Sequence, residues 1–465
     1  MRRGEQHPPP PRRDVQPSRK ADELHQSAPA GGLDAANGAA RAGLIARTLW
    51  RKQRHILEEL GPGLITGAAD DDPSGIATYS QAGAQFGYAL GWTVVLCLPF
   101  MVAVQEISAR IGRVTGVGLA AALRRHAPRW VLAFVVALLA VANVLNIAAD
   151  LGAMGDTVRL LFGGHNAVYT VAIALGCVWA EIWMAYKRYV RLLKFLTLAL
   201  LSYVALLFVV KVDWWAAAAG AVLPHMDLTR DAALTVVAVL GTTISPYLFF
   251  WQAAEEAEDE HLEADSRPLR EHPADAPPQM HRIRVDTWLG MAYSEVVALS
   301  IIVGCAATLH AHAITTIDTA EQAASALEPI AGPFARTVFA CGIIGTGLLA
   351  IPTLAGSLAY ALGDTFQWET GLSRAPRQAR AFYAAIAVAT LLGVLIVFSP
   401  LDPIRALFWS AVVNGVAAAP IIAAMVVMGA RADVMGKLTL PRWLSLLGWA
   451  AALLMAGATV AMLVL

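Results

Sequence analysis

Three carboxylates and a proline stand in the middle of an apolar segment near the start of the chain. Residues 67–83 read GAADDDPSGIATYSQAG, with Asp70, Asp71 and Asp72 directly before Pro73. Proline removes a backbone donor and glycine weakens a helix, so backbone carbonyls are freed around them. Freed carbonyls and carboxylates cannot face lipid, and they therefore line a cavity or hold a cation. The stretch predicts a polar cavity or a cation site at a break in a membrane helix.

A second apolar segment is interrupted in the same way, by hydroxyl side chains and a proline. It reads AVLGTTISPYLFFWQAAEEAEDE, in which Thr242, Thr243 and Ser245 precede Pro246. One interpretation is that these hydroxyls and the carboxylate of Asp72 face a common ion. The alternative is that the hydroxyls bond to carbonyls of their own helix, with the carboxylate neutralised and hydrogen-bonded in its break.

The composition indicates that both breaks belong to a polytopic membrane protein. The chain is 57% hydrophobic and 15% charged, whereas soluble proteins carry about 25% charged residues. Basic and acidic residues are equal at 35 each, so the net charge gives no indication of a nucleic-acid partner, and none is expected. We expect the chain to be embedded in a lipid bilayer, in the cell (inner) membrane.

Eleven apolar segments are long enough to cross a bilayer, which takes about 20 residues each. They lie at roughly 56–88, 91–112, 130–160, 166–185, 191–211, 231–256, 283–309, 334–363, 379–398, 402–430 and 442–464. Residues 1–45 are basic and proline-rich with no apolar signal segment, which predicts a disordered cytoplasmic tail. The core then covers residues 46–430, and residues 431–465 add an eleventh helix.

The distribution of basic residues predicts the orientation of the spans. Arginine and lysine concentrate in the loops after even-numbered spans, whereas residues 310–333 contain neither. The N-terminus is therefore predicted to be cytoplasmic. The two broken spans are five apart, so residues 56–211 and 231–430 are predicted to form inverted repeats. That arrangement is typical of secondary transporters, whose substrate site lies where the two broken helices meet.

At the motifs DPSG and ISPY the chain resembles the NRAMP (natural resistance-associated macrophage protein) superfamily of divalent-metal transporters, over roughly residues 55–430. The family carries Asp-Pro-Gly-Asn in its first helix and Met-Pro-His in its sixth, and holds metal between them in a leucine-transporter-type fold. The resemblance implies that Asp72 is a metal ligand. The family's asparagine, methionine and histidine positions are occupied here by Gly75, Ser245 and Tyr247.

These departures predict a site made of oxygen atoms. A methionine thioether favours transition metals, and it is absent here. Oxygen ligands suit hard ions, Mg²⁺ first and Mn²⁺ second, and the smaller side chains leave room for retained water. This pattern resembles the NRAMP-related magnesium transporter branch of the superfamily. The predicted metal-site positions are Asp72, Ser74, Gly75, Thr242, Thr243 and Ser245, and the metal is transported substrate, with no resident cofactor expected.

The resemblance also implies that proton coupling is weak or absent. The family's proton route uses the sixth-helix histidine and acidic residues of the third helix, and this chain has Tyr247 and Ala153 where a histidine and a glutamate are expected. A tyrosine, with an ordinary pKa of about 10, cannot relay protons at neutral pH as histidine does. Uptake is then driven by the membrane potential.

Several other polar residues within the apolar segments are candidates for the ion pathway. Asp70 and Asp71 are predicted to be vestibule charges, and Glu295 is a further intramembrane acid. Asn143, Asn146 and Asp150 recur at helical spacing on one face of the third span; they line a water path or join helices.

Other classes of protein fit less well. A proton-coupled Mn²⁺/Fe²⁺ symporter is the first alternative, and the missing methionine, asparagine and histidine argue against it. A sodium-coupled amino-acid transporter would place Asp72 against the substrate carboxylate. An intramembrane aspartyl protease requires the motif Gly-x-Gly-Asp. Here Ala361 occupies the position of its first glycine, three residues before Asp364.

Overall fold

The structure is a computed structural model that describes residues 62–183, 201–224, 229–262, 267–317, 320–399 and 402–465. The helices in these ranges are α1 Pro62–Asp70, α2 Pro73–Phe86, α3 Gly91–Thr115, α4 Leu119–His126, α5 Arg129–Phe162, α6 Asn166–Trp183, α7 Leu201–Leu206, α8 Trp214–Val222, α9 Arg230–Thr243, α10 Pro246–Leu262, α11 Ala276–Thr308, α12 Ala320–Ser325, α13 Glu328–Ala331, α14 Ala335–Phe366, α15 Arg380–Val397, α16 Pro403–Ala430, α17 Ala432–Met435 and α18 Arg442–Val464. The predicted disordered tail, residues 1–45, lies outside the described residues.

Nine spans in the described part of the chain are long and apolar enough to cross a membrane. They correspond to nine of the eleven predicted segments. The predicted first span is present as the two short helices α1 and α2, of 9 and 14 residues, neither of which crosses a bilayer alone. Residues 191–200 of the predicted fifth span lie outside the described residues, and α7 lies within the remainder of that span.

The seventh span begins earlier than the apolar pattern predicts. Helix α11 starts at Ala276, with proline in its first turn, whereas the prediction starts at residue 283. Proline is favoured in a first turn because the N–H it lacks has no partner there. The added residues include His281 and Arg282, and such polar residues extend the helix beyond the apolar stretch that sequence hydropathy detects.

The two broken spans pack against each other in opposite directions. Helix α1 contacts α10 and helix α2 contacts α9, so the first half of each span meets the second half of the other. This antiparallel pairing places the two breaks side by side. It is the arrangement that the inverted-repeat prediction requires.

Two glycines allow these half-helices to approach neighbouring backbones closely. A Cβ atom added at Gly67 of α1 would lie 2.3 Å from the carbonyl oxygen of Gly290 in α11. One added at Gly241 of α9 would lie 2.1 Å from the carbonyl oxygen of Ala411 in α16. Small residues permit such close packing between membrane helices, and here they determine where each half-helix lies.

The outer surface of the helices is apolar. Leu175, Trp179, Leu391 and Leu453 are among the large side chains that are more than half exposed. Apolar side chains that are exposed over whole helices fit a lipid surrounding better than water.

Candidate cation site between the two broken helices

The first break is capped by Asp72. Helix α1 ends at Asp70, and α2 restarts at Pro73. Oδ1 of Asp72 accepts hydrogen bonds from the Ser74 hydroxyl at 2.6 Å and from the Gly75 N–H at 2.8 Å. An aspartate in this position satisfies a free N–H of the first turn and lies at the positive end of the helix dipole. The carboxylate is therefore held at the break by the helix that it caps.

Gly75 lies inside helix α2, where the sequence interpretation expects a weakened helix with freed carbonyls. Proline is well suited to the first position of a helix, so α2 already begins at Pro73 and passes through Gly75. What the glycine provides is close approach. A Cβ atom at this position would lie 3.3 Å from Oγ1 of Thr242, on the other broken span.

The proline of the first break leaves one carbonyl without its helical donor. In an α-helix the carbonyl of Ala69 would accept from the N–H of residue 73, and Pro73 has none. The hydroxyl of Tyr247, from α10, donates to this carbonyl at 2.9 Å and lies 3.3 Å from Oδ2 of Asp72. Tyr247 thus connects the second broken span to both oxygens that the first break offers.

The second break repeats this geometry with different side chains. Helix α9 ends at Thr243 and α10 begins at Pro246, so the carbonyl of Thr242 is the one that loses its donor. The hydroxyl of Ser245 donates to it at 2.7 Å and lies 2.8 Å from the carbonyl of Gly241. Back-bonding, the alternative that the sequence leaves open, therefore describes Ser245. It also describes Thr243, whose hydroxyl lies 2.8 Å from the carbonyl of Val239.

Hydroxyl pairs join the two breaks directly. The hydroxyls of Ser74 and Thr242 are 3.3 Å apart, and those of Tyr79 and Thr243 are 2.9 Å apart. Sequence reasoning missed Tyr79. Its position one turn after Gly75 on α2 is the only sequence feature that would place it near the site. The structure thus brings together Asp72, Ser74, Gly75, Thr242, Thr243 and Tyr247, with Ser245 directly behind Thr242.

The donors at the breaks are a single carboxylate, hydroxyls and backbone carbonyls. Asp72, Ser74 and Thr242 are each buried. Within the described ranges, no three His, Cys, Asp or Glu side chains form a metal-binding group. A cation here would therefore be held by Asp72 with neutral oxygens. Oxygen donors of this kind suit hard cations better than soft ones.

Asp70 and Asp71 lie on the side of the first break that faces α11. The hydroxyl of Ser294 is 2.6 Å from Oδ2 of Asp70 and 3.1 Å from Oδ1 of Asp71. Both carboxyls are buried, as is Glu295, whose two oxygens have no hydrogen-bond partner in the described part of the chain. The vestibule role of the two aspartates stays a prediction. Sequence reasoning identified Glu295 and missed the neighbouring serine.

The polar face of the third span divides between two environments. The amide of Asn143 donates to the Leu354 carbonyl and to the Ser357 hydroxyl of α14, both at 2.8 Å. This residue joins helices. Asp150 and Asn146 are buried, and neither has a side-chain hydrogen-bond partner among the described residues. Their role in the ion pathway stays a prediction.

A helical membrane protein whose first and sixth spans break at facing points, with antiparallel packing between them, belongs to the inverted-repeat class of secondary transporters. Within that class, residues 63–465 match the Natural resistance-associated macrophage protein-like family, Nramp. The chain belongs to this family, as the resemblance at DPSG and ISPY predicts.

Two bacterial relatives match most of the chain. A divalent metal cation transporter MntH of Klebsiella pneumoniae is 28% identical over 404 residues, which is 84% of this chain and 90% of the relative. A divalent metal cation transporter MntH of Deinococcus radiodurans is 27% identical over 436 residues, 91% of this chain and 92% of the relative.

Solved structures share the fold. The Eremococcus coleocola manganese transporter aligns with a TM-score of 0.71 at 17% identity, covering 89% of this chain and 86% of that one. MhsT in complex with L-phenylalanine aligns with a TM-score of 0.55 at 13% identity, covering 86% and 97%. The leucine-transporter-type fold predicted from the sequence is confirmed by these likenesses.

Proposed function

We propose that this protein moves divalent cations, Mg²⁺ first and Mn²⁺ second, into the cytoplasm by alternating access. The observation that carries the proposal is the pair of facing breaks, where the carboxylate of Asp72 contacts the hydroxyls of Ser74 and Tyr247 and the Thr242 hydroxyl contacts Ser74. The names of the two relatives, divalent metal cation transporters, support the substrate class. The distribution of basic residues supports a cytoplasmic N-terminus in the cell (inner) membrane.

The preference for Mg²⁺ rests on the chemistry of the donors. Ser245 stands where the family has a methionine, so the site offers no thioether to attract a soft metal. All donors named at the breaks are oxygens, and only one is charged at the site itself. A single carboxylate is sufficient for an ion that keeps part of its water, because the bound waters donate hydrogen bonds to the surrounding oxygens.

We further propose that transport proceeds without proton coupling and without a resident cofactor. Tyr247 uses its hydroxyl proton to bond the Ala69 carbonyl, and a tyrosine does not exchange protons readily near neutral pH. Ala153 is buried in α5 and carries no acid. The membrane potential supplies about 2.3 kcal/mol per charge per 100 mV, which is sufficient to drive uptake of a divalent ion.

A second candidate is proton-coupled manganese transport. One observation favours it, namely that Asp150 is buried in α5 and has no side-chain hydrogen-bond partner among the described residues. A buried acid of this kind can accept a proton when an ion enters.

Uptake into proteoliposomes distinguishes the two candidates. Mg²⁺, Mn²⁺, Ca²⁺ and Cd²⁺ are added separately, with the membrane potential clamped and a pH-sensitive dye trapped inside. We expect Mg²⁺ and Mn²⁺ to enter with no acidification. Acidification in step with metal entry would favour the second candidate, and uptake of none of the four ions would contradict both.

A further inference from the structure

The two breaks share a feature that ion binding alone does not require. Each proline deprives one carbonyl of its helical donor, at Ala69 in the first span and at Thr242 in the sixth. In both cases a side-chain hydroxyl takes the place of the missing N–H, from Tyr247 at 2.9 Å and from Ser245 at 2.7 Å. The two carbonyls are therefore capped by side-chain hydroxyls.

Both caps are fixed by their surroundings. Tyr247 is fully buried and sits one residue after Pro246, at the start of α10. Its hydroxyl also lies 3.3 Å from Oδ2 of Asp72. Ser245 is buried, and its hydroxyl is shared between the carbonyls of Gly241 and Thr242. Removing either cap from its carbonyl would leave a buried polar group unpaired, which destabilises the protein unless an ion or water replaces the cap.

A carbonyl that accepts a hydroxyl hydrogen bond and a carbonyl without one differ as ligands for a cation. Backbone carbonyls are typical ligands of Ca²⁺, which binds six to eight oxygens in flexible geometry. A carbonyl that already accepts a hydroxyl proton is a weaker ligand for a bare ion. The hydroxyl oxygen, however, still accepts a hydrogen bond, and a water held by Mg²⁺ can donate one. Caps therefore favour an ion that keeps its water over one that replaces water with carbonyls.

We propose that Tyr247 and Ser245 are specificity-determining residues that favour Mg²⁺ over Ca²⁺ by capping the carbonyls of Ala69 and Thr242. The inference rests on the proposed function, since it assigns these carbonyls to the transported ion. It gives the two positions at which this chain departs from the Met-Pro-His motif a shared role, which is to cover a backbone oxygen at each break.

The test removes each hydroxyl by a substitution that changes the rest of the side chain as little as possible. Tyr247→Phe frees the Ala69 carbonyl, and Ser245→Ala frees the Thr242 carbonyl. Tyr383→Phe is the matched control for the first, because that hydroxyl donates to the carbonyl of Arg374 at 3.0 Å, in the loop before α15. Ser300→Ala is the control for the second, because its hydroxyl lies 2.7 Å from the Val296 carbonyl inside α11.

Affinities for Mg²⁺ and Ca²⁺ are measured by calorimetry on purified wild type and each variant, after gel filtration has confirmed a monodisperse protein. We expect the Ca²⁺/Mg²⁺ affinity ratio to rise about fivefold or more in Tyr247→Phe and Ser245→Ala, and to stay at the wild-type value in both controls. If one of the two site variants does not fold, the other carries the test.

An unchanged ratio in a folded site variant overturns the proposal, and so does an equal loss of affinity for both ions, which would make the hydroxyls ordinary ligands. In either case wild-type Mg²⁺ binding leaves the proposed function intact. A wild-type protein that binds neither Mg²⁺ nor Mn²⁺ would instead contradict the proposed function itself.

Discussion

The first and sixth spans are broken by the same device, yet the two breaks are chemically opposite. Each has a proline that starts the second half-helix. In the first, Asp72 points forward and accepts the N–H of Gly75 in α2. In the second, Ser245 points backward and donates to the carbonyl of Thr242 in α9. The inverted repeats thus match in backbone geometry and differ in what their side chains offer.

The difference concentrates the charge on one side of the site. The first break contributes an acceptor that carries charge, and the second contributes neutral hydroxyls and a carbonyl. The first break also depends on the second for its cap, because Tyr247 covers the Ala69 carbonyl, whereas the second is capped from its own segment. We infer that the first break binds the ion and that the second tunes which ion is bound.

The largest effect is expected from the carboxylate. Asp72→Ala should abolish Mg²⁺ and Mn²⁺ uptake, because no other charged group caps either break. Asp72→Asn keeps a side-chain oxygen that can accept the Gly75 N–H and removes the charge, so it should fold like wild type and still not transport. Uptake into proteoliposomes and thermal melting in detergent measure the two properties.

Asp402 provides a matched control. It also precedes a proline, Pro403, and its Oδ1 accepts from the N–H of Ile404 at 3.0 Å and of Arg405 at 3.2 Å. Asp402→Ala should lose about 1 kcal/mol of capping free energy and retain transport. Near-normal uptake by Asp72→Ala would remove the first break from the ion site.

The next largest effect is expected where the half-helices meet their neighbours. Gly67→Ala and Gly241→Ala each force a Cβ atom onto a backbone carbonyl less than 3 Å away, and overpacking of this kind costs about 1–3 kcal/mol. Both variants should melt at lower temperature and transport more slowly. Gly457→Ala, where a Cβ would meet nothing within 4 Å, is the control. Wild-type melting in the first two would show that the half-helices shift freely.

A smaller effect is expected from changing the second break toward the family pattern. Ser245→Met supplies a polarizable ligand and narrows the cavity, so both changes favour Cd²⁺ over Mg²⁺. We expect about a tenfold change in the Cd²⁺/Mg²⁺ ratio, which corresponds to about 1.4 kcal/mol. Competition between the two ions in wild type and mutant measures it. An unchanged ratio would mean that position 245 does not reach the ion.

The positions of the breaks could be predicted from the sequence because proline acts locally. Pro73 and Pro246 remove a donor wherever they occur in a helix, and the structure breaks both spans directly before them. Span ends were predictable to within a few residues where hydropathy defines them. The start of α11 could not be predicted from hydropathy, because its first turns are helical although their residues are polar.

The contacts of the site were less predictable because they depend on distant parts of the chain. Ser294 meets Asp70 from 224 positions away, and nothing near either residue indicates the other. The separate environments of Asn143 and Asp150 likewise follow from which helix lies opposite each residue, and helical spacing alone does not give this. Sequence reasoning identified residue types that can bind an ion, and tertiary packing decides which of them do.

The smallest effect tests whether the two breaks act as one site. The hydroxyls of Ser74 and Thr242, 3.3 Å apart, form a direct hydrogen bond between them. Ser74→Ala and Thr242→Val should each lower Mg²⁺ affinity slightly, and the double mutant should lose less than the sum. A coupling free energy of about 0.5–1.5 kcal/mol is expected for a neutral hydrogen bond between contacting residues. The same cycle run on Ser300→Ala with Thr242→Val should give a value near zero, since the Ser300 hydroxyl bonds the Val296 carbonyl inside α11 and the Thr242 hydroxyl contacts Ser74. Additive losses in the first cycle would mean that the breaks lie close together and contact the ion independently. Measurable coupling would mean that this hydrogen bond links the charged first break energetically to the neutral second break. The side chains of the second break that determine ion preference would then also affect ion binding at the first.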